Sequence, residues 1–422
     1  MCGSWPRVPA PAGTRHGIAW AARPCLYLAP CANPAALRAC IFPNGPLYTH
    51  QKKGYVIPGY YNPGDFFDEI DFLVPAWEDL APSEVQILCG RARVRIHPIG
   101  RINALNLRSR TRKAVEIARN AQPDVIRAYN PFYGGYIAAR CARELGIPFW
   151  VSLHTQPDGN RDRGGGRSLG RLLVLKYTGM FVEPFVLKQA DKVTARYSTI
   201  IPYVKRHTGK NPEIIYGGVD LARFGGGSTM DSLPRPLVLS VGRLTAVKGH
   251  GTLINAMKDV DAHLLIIGDG ELHGELRGLA EKIGISKRVI FKQNVPHSSI
   301  HDYYRSADVF ALAYNPRVEN VPIPVMEAMA SGLPLVVPRP AAEEFDGFED
   351  AAVHADDPAS FAAGINMLLS DKGLRKKYAG KSRDKAAAFD IGRTASREAE
   401  IYAELAGRRP RASARRGQAA RS

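Results

Sequence analysis

The sequence predicts an α/β protein in which helices cover both faces of parallel sheets. Strand-like apolar runs and helix-like segments alternate along most of the chain. Several of the apolar runs end directly in glycine or in a polar turn, as strands do where an open sheet meets its ligand. A length of 422 residues suggests two such domains, or three, each long enough to bury its own core.

The first half alternates between apolar strands and amphipathic helices. We expect strands within 85–99, 123–129, 147–153 and 190–195, and helices over 110–120, 134–145 and 171–187. Gly146 follows the second of these helices, where a left-handed residue commonly ends a helix. The next strand ends at His154, which is therefore expected at the ligand edge of the sheet. The alternative is a structural role for this single histidine.

The second half shows the same alternation more regularly. We expect strands over 236–244, 262–270, 289–292, 309–313 and 335–337, and helices ending at 283 and over 298–306, 358–370 and 394–405. The glycine-rich stretch 225–228 separates the halves and predicts the linker between two domains.

Positive charge is concentrated in the first half. The net charge of the chain is +17; residues 1–225 carry 30 Lys and Arg against 16 Asp and Glu, a net of +14, and the remainder carries 27 against 24, a net of +3. Such a field favours an anionic partner, which could be a nucleic acid, an acidic membrane surface or a phosphorylated substrate. Because no nucleic-acid-binding motif is present, we do not expect a nucleic acid partner.

Cysteine usage and hydropathy indicate a cytoplasmic protein. The six cysteines contain no Cys-x-x-Cys pair, and no histidine spacing resembles a zinc site. They suggest no disulfide framework, so a reducing cytosol is the simpler context. No apolar run is long enough to cross a membrane.

The two ends of the sequence differ in composition from the rest. Residues 1–45 are rich in Ala, Pro and Cys and contain no acid, which weakly resembles a transit peptide; a poorly ordered leader or a misassigned start explains the composition equally well. Six arginines and no acid follow Gly407, so we expect residues 408–422 to be disordered.

Two glutamates separated by seven residues mark a candidate site. Pro322 and Pro324 prevent a regular helix before Pro324, which suits the start of a helix that Gly332 then ends. Glu319 is therefore expected in a loop and Glu327 in the first helical turn. A helix N-terminus attracts phosphate and a carboxylate accepts hydrogen bonds from hydroxyls, so the pair suggests a nucleotide sugar. The alternative is a solvated loop acid beside an acid that only complements the helix dipole.

A glycine turn predicts the phosphate-binding part of the same site. A buried strand runs into Gly242, Arg243 and Lys248, and the arrangement of strand, glycine turn and helix commonly holds phosphates. We expect the turns at Gly242, Asn294 and Glu319 to open on one edge of a parallel sheet. The alternative is a surface loop with two exposed cations.

The ordered set of these segments resembles a known family. The following segments match, in order and spacing, the donor domain of retaining glycosyltransferases of family 4: SVGRLTAVKG, LLIIGDGEL, RVIFKQNVP, YYRSADVFALA, and Glu319 to Glu327 with EAMASGLP. IIYGGVDLARF and FDIGRTASREAEIYAEL also resemble that family's linker and final helix. In the first half the resemblance is thinner and includes RAYNPFYGG and PFWVSLH.

The resemblance implies a GT-B fold, which consists of two Rossmann-like domains facing each other across a cleft. It divides the chain into a poorly defined leader (1–45), an N-terminal acceptor-binding domain (46–225), a C-terminal nucleotide-sugar-binding domain (226–393), a final helix that returns to the first domain (394–407) and a disordered tail (408–422).

The resemblance also implies how the nucleotide would be bound. Arg243 and Lys248 would neutralise the diphosphate, with Gly242 and Asn294 in the surrounding turns, and Glu327 would accept hydrogen bonds from the ribose. Members of the family need no metal as a rule, and the cationic pair would take over that role. We therefore expect no cofactor other than the nucleotide-sugar co-substrate.

Roles in the transfer itself are implied in the same way. Glu319 would hold hydroxyls of the donor sugar, with the backbone N–H groups of Asn320 and Val321 beside it, and His154 matches the histidine near the reacting sugar. The family retains the configuration of the sugar, usually by same-face attack in which the leaving phosphate helps to deprotonate the acceptor. The sequence shows no carboxylate nucleophile of the kind that two-step glycosidases use.

Three features depart from the family pattern. NVPIP replaces the usual glycines after Glu319, so a stiffer loop and a changed sugar contact are expected. Gly217 and Gly218 stand where Asn-Gly is common. The usual first strand with its glycine-rich turn is hard to find, and only CIFPNG at 40–45 could supply it.

These observations predict a retaining glycosyltransferase that moves a sugar from a nucleotide-diphosphate donor to a saccharide or lipid-linked acceptor. We expect it in the synthesis of cell-surface polysaccharide or glycoconjugates, in the cytoplasm and peripheral on the inner face of the membrane, whose anionic surface is an expected partner of the basic first half. The alternative is a catalytically impaired protein of the same fold that binds a sugar nucleotide or a polysaccharide.

Overall fold

The computed structural model describes residues 36–49, 57–77, 80–158, 174–319, 321–340 and 350–407. Within these residues the chain forms two parallel β-sheets with helices packed against them, which confirms the predicted α/β class. Most of the predicted leader, Asn320 and the arginine-rich tail lie outside the described residues.

The first sheet has seven parallel strands in the order β3-β2-β1-β4-β5-β6-β7. The strands are β1 (Arg38–Phe42), β2 (Glu69–Val74), β3 (Arg93–Pro98), β4 (Val125–Tyr129), β5 (Phe149–Leu153), β6 (Lys192–Ala195) and β7 (Glu213–Ile214). The helices of this half are α1 (Pro82–Val85), α2 (Leu107–Ala121), α3 (Tyr133–Leu145), α4 (Glu183–Gln189) and α5 (Ile201–Thr208). A π-helical turn, Thr178–Val182, leads directly into α4.

The second sheet has six parallel strands in the order β10-β9-β8-β11-β12-β13. The strands are β8 (Leu237–Val241), β9 (His263–Ile267), β10 (Val289–Lys292), β11 (Val309–Ala311), β12 (Leu335–Val337) and β13 (Ala352–His354). The helices are α6 (Leu221–Gly225), α7 (His250–Ala256), α8 (His273–Lys282), α9 (Ile300–Ser306), α10 (Ile323–Ala330), α11 (Pro358–Ser370), α12 (Lys372–Ala386) and α13 (Ile391–Gly407).

Alternate residues of each central strand enter cores on opposite faces of the sheet. In β8, Leu237 and Leu239 pack into one apolar cluster and Val238 into another. The same alternation divides Cys40 and Ile41 of β1 between the two clusters of the first sheet. Because both faces are covered, the strands read as continuous apolar runs rather than as alternating ones.

The first strand of the fold lies inside the segment that we predicted to be a leader. β1 is fully paired, with β2 on one side and β4 on the other, so the boundary at residue 45 is wrong. The segment CIFPNG at 40–45 does supply the expected strand and a turn that contains Gly45. We missed this five-residue, mostly buried strand because the biased composition of residues 1–45 suggested an unstructured leader.

The chain crosses between the two halves at two adjacent places. The N–H of Val219 donates to the carbonyl of Phe389 at 2.8 Å, and the N–H of Ile391 donates to the carbonyl of Val219 at 3.0 Å. From this crossing α13 runs onto the first sheet, where Ile401 and Tyr402 join its core. The final helix thus belongs to the core of the first half although it ends the second.

Several elements differ from the sequence-based expectation, among them β13 (Ala352–His354) and α5 (Ile201–Thr208), which we did not predict. Residues 82–85 are helical and only 93–98 form a strand, whereas we expected strands through 85–99. Helix α12 was not predicted, because it is strongly polar and buries only Ser382 and Ala386. None of the helices that the structure describes combines the length and the apolar character needed to cross a membrane.

Candidate active site

Each sheet contains the point at which open α/β sheets bind ligands. The strand order reverses between β1 and β4 in the first sheet and between β8 and β11 in the second. Ligands bind outside the carboxyl ends of the strands at such a point. In the second sheet Gly242 follows β8 and Glu319 lies in the loop after β11, so the glycine turn and the acid-bearing loop meet at one crevice, as predicted.

Two glycines allow the loops around this crevice to touch. A Cβ atom at Gly268 would lie 1.9 Å from the carbonyl oxygen of Gly242, and one at Gly249 would lie 1.9 Å from that of Ala313. Gly249 also has a φ of +61°, a left-handed conformation that favours glycine. A larger residue at either position would push the loops apart and displace the turn that carries Lys248.

The predicted diphosphate-binding lysine and the predicted sugar-binding acid form an ion pair. Lys248 lies at the end of the short turn Ala246–Lys248, and its Nζ donates to Oε2 of Glu319 at 2.5 Å. Lys248 is buried and Glu319 is half-buried. The pair joins the loop after β8 to the loop after β11. A ligand can bind the two remaining N–H donors of Lys248 or the second oxygen of Glu319, and an anion that binds Lys248 competes with Glu319 for its charge.

The remaining predicted donor residues lie after the carboxyl ends of β8, β10 and β11. Arg243 is exposed and has no ion-pair partner within the described part of the chain, so its guanidinium is available to an anion. Asn294 is exposed after β10, with a φ of +54°. The side chain of Val321 is buried in the core, so only its backbone can face a ligand. Asn320 lies outside the described residues.

Glu327 is buried and bound by two side chains from the preceding segment. It lies in the second turn of α10, not in the first turn as predicted, because the helix begins at Ile323 and no acid occupies its first turn. Its Oε2 accepts a hydrogen bond from Oη of Tyr304 at 2.7 Å, and its Oε1 lies 3.0 Å from Nε2 of His297. Both oxygens of the carboxylate are thus positioned by protein groups.

Arg223 determines which nitrogen of His297 carries the proton. Its Nη1 lies 3.3 Å from Nδ1 of His297, and its Nη2 donates to the backbone carbonyl of the same residue. A guanidinium can only donate, so Nδ1 accepts and Nε2 donates to Glu327. Burial and the charge of Glu327 raise the pKa of Tyr304 well above its usual value, which keeps its hydroxyl protonated. Each carboxylate oxygen keeps a further lone pair for a ligand hydroxyl.

His154 lies at the corresponding edge of the first sheet, immediately after β5. Its backbone N–H donates to Oδ1 of Asn130 at 2.7 Å, and its Nε2 lies 3.1 Å from Oγ of Ser152. Asn130 follows β4 with a φ of +71°. Burial, and next the charges of Arg196 and Arg127, hold the pKa of His154 well below its usual range. The imidazole is therefore neutral near pH 7.

A cavity brings the edges of the two sheets together. His154, Tyr60 and Arg196 line it from the first half, and Ile323 and Met326 line it from α10. Tyr197 also lines it, and burial together with the charge of Glu319 raises the pKa of that tyrosine to about 12. Of the two predicted catalytic residues, His154 thus lines the cavity, and Glu319, from the other half, lies near enough for its charge to act on Tyr197.

A buried ionic cluster beside this cavity ties α13 to the first sheet. Arg127 is fully buried in β4, and its guanidinium donates to both oxygens of Glu398, at 2.9 and 3.0 Å. Arg196 donates to the same carboxylate at 3.1 Å, and the guanidinium of Arg127 lies 3.8 Å from the ring centre of Trp150. Removing one member would leave an unpaired buried charge, which is strongly destabilising.

Sequence reasoning did not identify the groups that hold these site residues. His297, Tyr304 and Arg223 were not singled out, since single polar residues in or just before short helices carry no distinguishing signal. Arg127 did carry one: it is a cation in the middle of the buried strand sequence VIRAY. Its partner Glu398 is 271 residues away and could not be inferred from local sequence.

Two family models match the chain, one over each half. Residues 68–223 match Glycosyltransferase Family 4, and residues 231–385 match Glycosyl transferases group 1. The two matches cover the strands β2–β7 and β8–β13 and so include both edges of the cavity.

Curated relatives are similar over part of their length. A D-inositol 3-phosphate glycosyltransferase of Streptomyces bingchenggensis is 27% identical over 312 residues, which is 64% of this chain and 64% of the relative. An N-acetylgalactosamine-N,N'-diacetylbacillosaminyl-diphospho-undecaprenol 4-alpha-N-acetylgalactosaminyltransferase of Campylobacter jejuni is 30% identical over 190 residues, or 43% of this chain and 50% of the relative. The chain thus spans about half to two thirds of these relatives.

A solved structure has the same fold across nearly its entire length. HepE of Anabaena, crystallised in complex with UDP, superposes with a TM-score of 0.67 and 18% identity, covering 87% of this chain and all of that one. Together with the two sheets and the cavity between their edges, this likeness confirms the predicted GT-B architecture.

Proposed function

Because the chain belongs to the family 4 glycosyltransferases, with a group 1 glycosyltransferase domain in its second half, we propose that it transfers a sugar from a nucleoside-diphosphate donor to a saccharide or lipid-linked acceptor. The reaction would serve the synthesis of a polysaccharide or glycoconjugate. The observation that carries the proposal is the position of Lys248, Glu319 and Glu327 around the crevice of the second sheet, together with a cavity that His154 lines from the first half and α10 from the second.

The second sheet would bind the donor. Arg243 and Lys248 would neutralise the diphosphate, Glu327 would accept hydrogen bonds from the ribose, and Glu319 would bind hydroxyls of the sugar. Anabaena HepE, which shares the fold, was crystallised with UDP, and this supports a nucleoside diphosphate in that crevice. The backbone N–H of Val321 is the further group proposed to face the sugar.

Breaking the glycosyl–phosphate bond leaves negative charge on the departing diphosphate. Preorganised cations stabilise charge of that kind as it develops, so Arg243 and Lys248 would act in the transition state as well as in binding. We propose that this pair takes the place of a metal ion, and that transfer proceeds with retention, the leaving phosphate accepting the acceptor proton. Neutral His154 can exchange hydrogen bonds with the reacting hydroxyls without contributing a charge.

The acceptor would bind in the cavity on the side of the first sheet. The relative from Campylobacter is named for a saccharide carried on diphospho-undecaprenol, which supports a lipid-linked acceptor. The competing interpretation, a non-catalytic sugar-nucleotide binder, depended on the apparent lack of a first strand. Since β1 is present and fully paired, no observation now favours it.

The test is incubation of the full chain with a panel of nucleotide sugars, with and without lipid-linked and free saccharide acceptors. We expect release of nucleoside diphosphate with at least one donor, and a product that keeps the anomeric configuration of the sugar by NMR. Activity should persist in a metal chelator. Nucleotide binding without hydrolysis or transfer for any donor would overturn the proposal.

A further inference from the structure

An apolar stripe on the surface of the first half has no partner in the described structure. It lies on the helical segment that begins at residue 174 and leads into α4. The exposed fractions are 45% for Val174, 49% for Tyr177, 56% for Met180 and 57% for Phe181. The opposite side of the same segment is buried against the core of the first sheet, through residues such as Val186. Large apolar side chains grouped in this way usually mark an interaction surface.

The stripe is continuous with a groove rich in arginine between α2 and α3. Arg108 and Arg112 of α2 and Arg140 of α3 line the groove around Tyr136. The ring of Tyr136 lies 5.1 Å from that of Phe185 in α4, which connects the groove to the stripe. These three arginines have no ion-pair partner within the described residues.

The groove also contains two acids, Glu144 and Glu116, which do not cancel its positive charge. Glu144 pairs with Arg119 at 3.2 Å, and Glu116 is exposed on α2. Even with Glu116 counted against them, the three unpaired arginines leave the groove positive. Lys176 is exposed within the apolar stripe and adds to this charge.

This surface adjoins the edge of the sheet where the acceptor cavity opens. Helices α2 and α3 begin after the carboxyl ends of β3 and β4. Tyr133, at the start of α3, lies near Tyr177 of the stripe: burial, and after it the neighbouring Tyr177, raises the pKa of Tyr133. Leu105, just before α2, is 97% exposed. The apolar and basic groups therefore border the rim that a lipid-linked acceptor would have to reach.

We infer that this surface docks the protein on an anionic lipid bilayer. The arginines would bind lipid phosphates, and the aromatic and methionine side chains would enter the interfacial region. Electrostatic attraction to anionic lipids and burial of apolar surface are the two contributions that hold peripheral proteins on membranes. The inference adds a location to the proposed function, and its link to a lipid-linked acceptor depends on that function. Binding to the bilayer itself does not.

Vesicle co-sedimentation of the full chain tests the docking surface. Vesicles of phosphatidylcholine alone are compared with vesicles of equal parts phosphatidylcholine and phosphatidylglycerol, and we expect binding to the anionic vesicles. Combined substitution of Tyr177→Ser, Met180→Ser and Phe181→Ser should weaken that binding about 10-fold or more, because the groups that enter the interface are removed. The matched control is Met367→Ser, which changes an exposed methionine on α11 and should have no effect.

Charge is tested with Arg108→Gln and Arg112→Gln together. This variant should lose about 10-fold or more in affinity for anionic vesicles, since each cation near the surface contributes about 1 kcal/mol. The control is Lys282→Gln with Lys287→Gln, two exposed lysines of the second half. Because residues 408–422 contain six arginines, a chain that ends at Gly407 is measured as well and should still bind.

Three results would overturn the inference. They are binding that is unchanged in the stripe variant, binding that disappears when residues 408–422 are removed, and light scattering that shows a dimer which the stripe substitutions convert to a monomer. The last would make a second copy of the chain the occupant of the surface. Nucleoside diphosphate release without vesicles should be normal in the stripe variant, so failure of docking and failure of the proposed function remain distinguishable.

Discussion

The two glutamates of the candidate site are held in opposite ways. Glu327 is buried in a helix, and its carboxylate accepts hydrogen bonds from Tyr304 and His297, groups with no other expected role in the donor site. Glu319 lies on a loop and pairs with Lys248, which is itself expected to bind the diphosphate. A donor that binds Glu327 therefore meets a carboxylate fixed at both oxygens, whereas a donor that binds Glu319 meets a carboxylate held by the same lysine that the diphosphate would bind. We infer that the ribose end of the site is preorganised and that the sugar end is completed on binding.

The largest effect should follow from removing the cation of that ion pair. We expect Lys248→Ala to reduce kcat/KM for transfer by ~100-fold or more, since preorganised charge on the leaving group is lost. The loss should be deepened because Glu319 would then face the diphosphate without a partner. Steady-state kinetics with the donor identified in the panel provides the measurement, and Lys282→Ala, at an exposed position of α8, is the control. Turnover close to that of the parent would contradict the assignment of Lys248.

Removing the preorganised acid should cost nearly as much. Glu327→Ala is expected to lower kcat/KM by ~100-fold, because the donor loses an acceptor that fixes its position in the cleft. Glu281→Ala, at an exposed site on α8, serves as the comparison. The melting temperature must be recorded too, since Tyr304 and His297 lose their buried partner. A variant that folds normally and transfers normally would remove Glu327 from the site.

The groups that hold Glu327 should have an intermediate effect. If His297 positions this acid, His297→Ala should raise KM for the donor about 10-fold and leave kcat nearly unchanged, as expected for a loss of binding geometry before the reaction. His297→Gln should restore part of the affinity, because its amide nitrogen can occupy the place of Nε2. Equal losses in both variants, accompanied by a lower melting temperature, would indicate a purely structural histidine.

The contrast between the two glutamates also marks how far the sequence could predict the structure. Strand and helix periodicity, with proline and glycine at the turns, was sufficient to place Glu319 and Glu327 at one edge of a parallel sheet. It was not sufficient to predict their partners. The ion pair from Lys248 to Glu319 spans 71 positions, and the contact from His297 to Glu327 spans 30, so both depend on how loops pack rather than on local propensity.

The same limit applies to the fold: most strands were predicted from local sequence, and elements without a clear apolar pattern were not. Five strands of the second half, β8 to β12, were recognised because each is a short apolar run bounded by turn residues, whereas the three-residue β13 was not. β1 was placed in a leader because its five residues follow a long stretch of biased composition, and α12 was missed because it has almost no apolar face. The buried Arg127 shows most clearly what local sequence cannot predict. Its charge is balanced by Glu398 of α13, which lies 271 residues away in the sequence.

The smallest expected effect, that of Glu319→Gln, distinguishes the roles of the two glutamates most directly. If Glu319 competes with the diphosphate for Lys248, then Glu319→Gln should free the lysine and tighten the binding of the nucleoside diphosphate product. A partly exposed ion pair contributes ~1 kcal/mol or less, so the gain should be at most ~5-fold. Transfer should nevertheless fall, since the glutamine is a weaker acceptor for sugar hydroxyls than the carboxylate.

Isothermal titration calorimetry of the nucleoside diphosphate product with the parent and the Glu319→Gln variant measures this gain in affinity. Glu327→Gln is the matched comparison. Glu327 does not pair with a phosphate-binding cation, so its substitution should weaken nucleotide binding where that of Glu319 strengthens it. Opposite signs for the two changes would establish that only the loop acid exchanges its partner when the donor binds. Weaker binding in both would mean that Glu319 holds Lys248 in place for the diphosphate, in the same way that His297 holds Glu327 for the ribose.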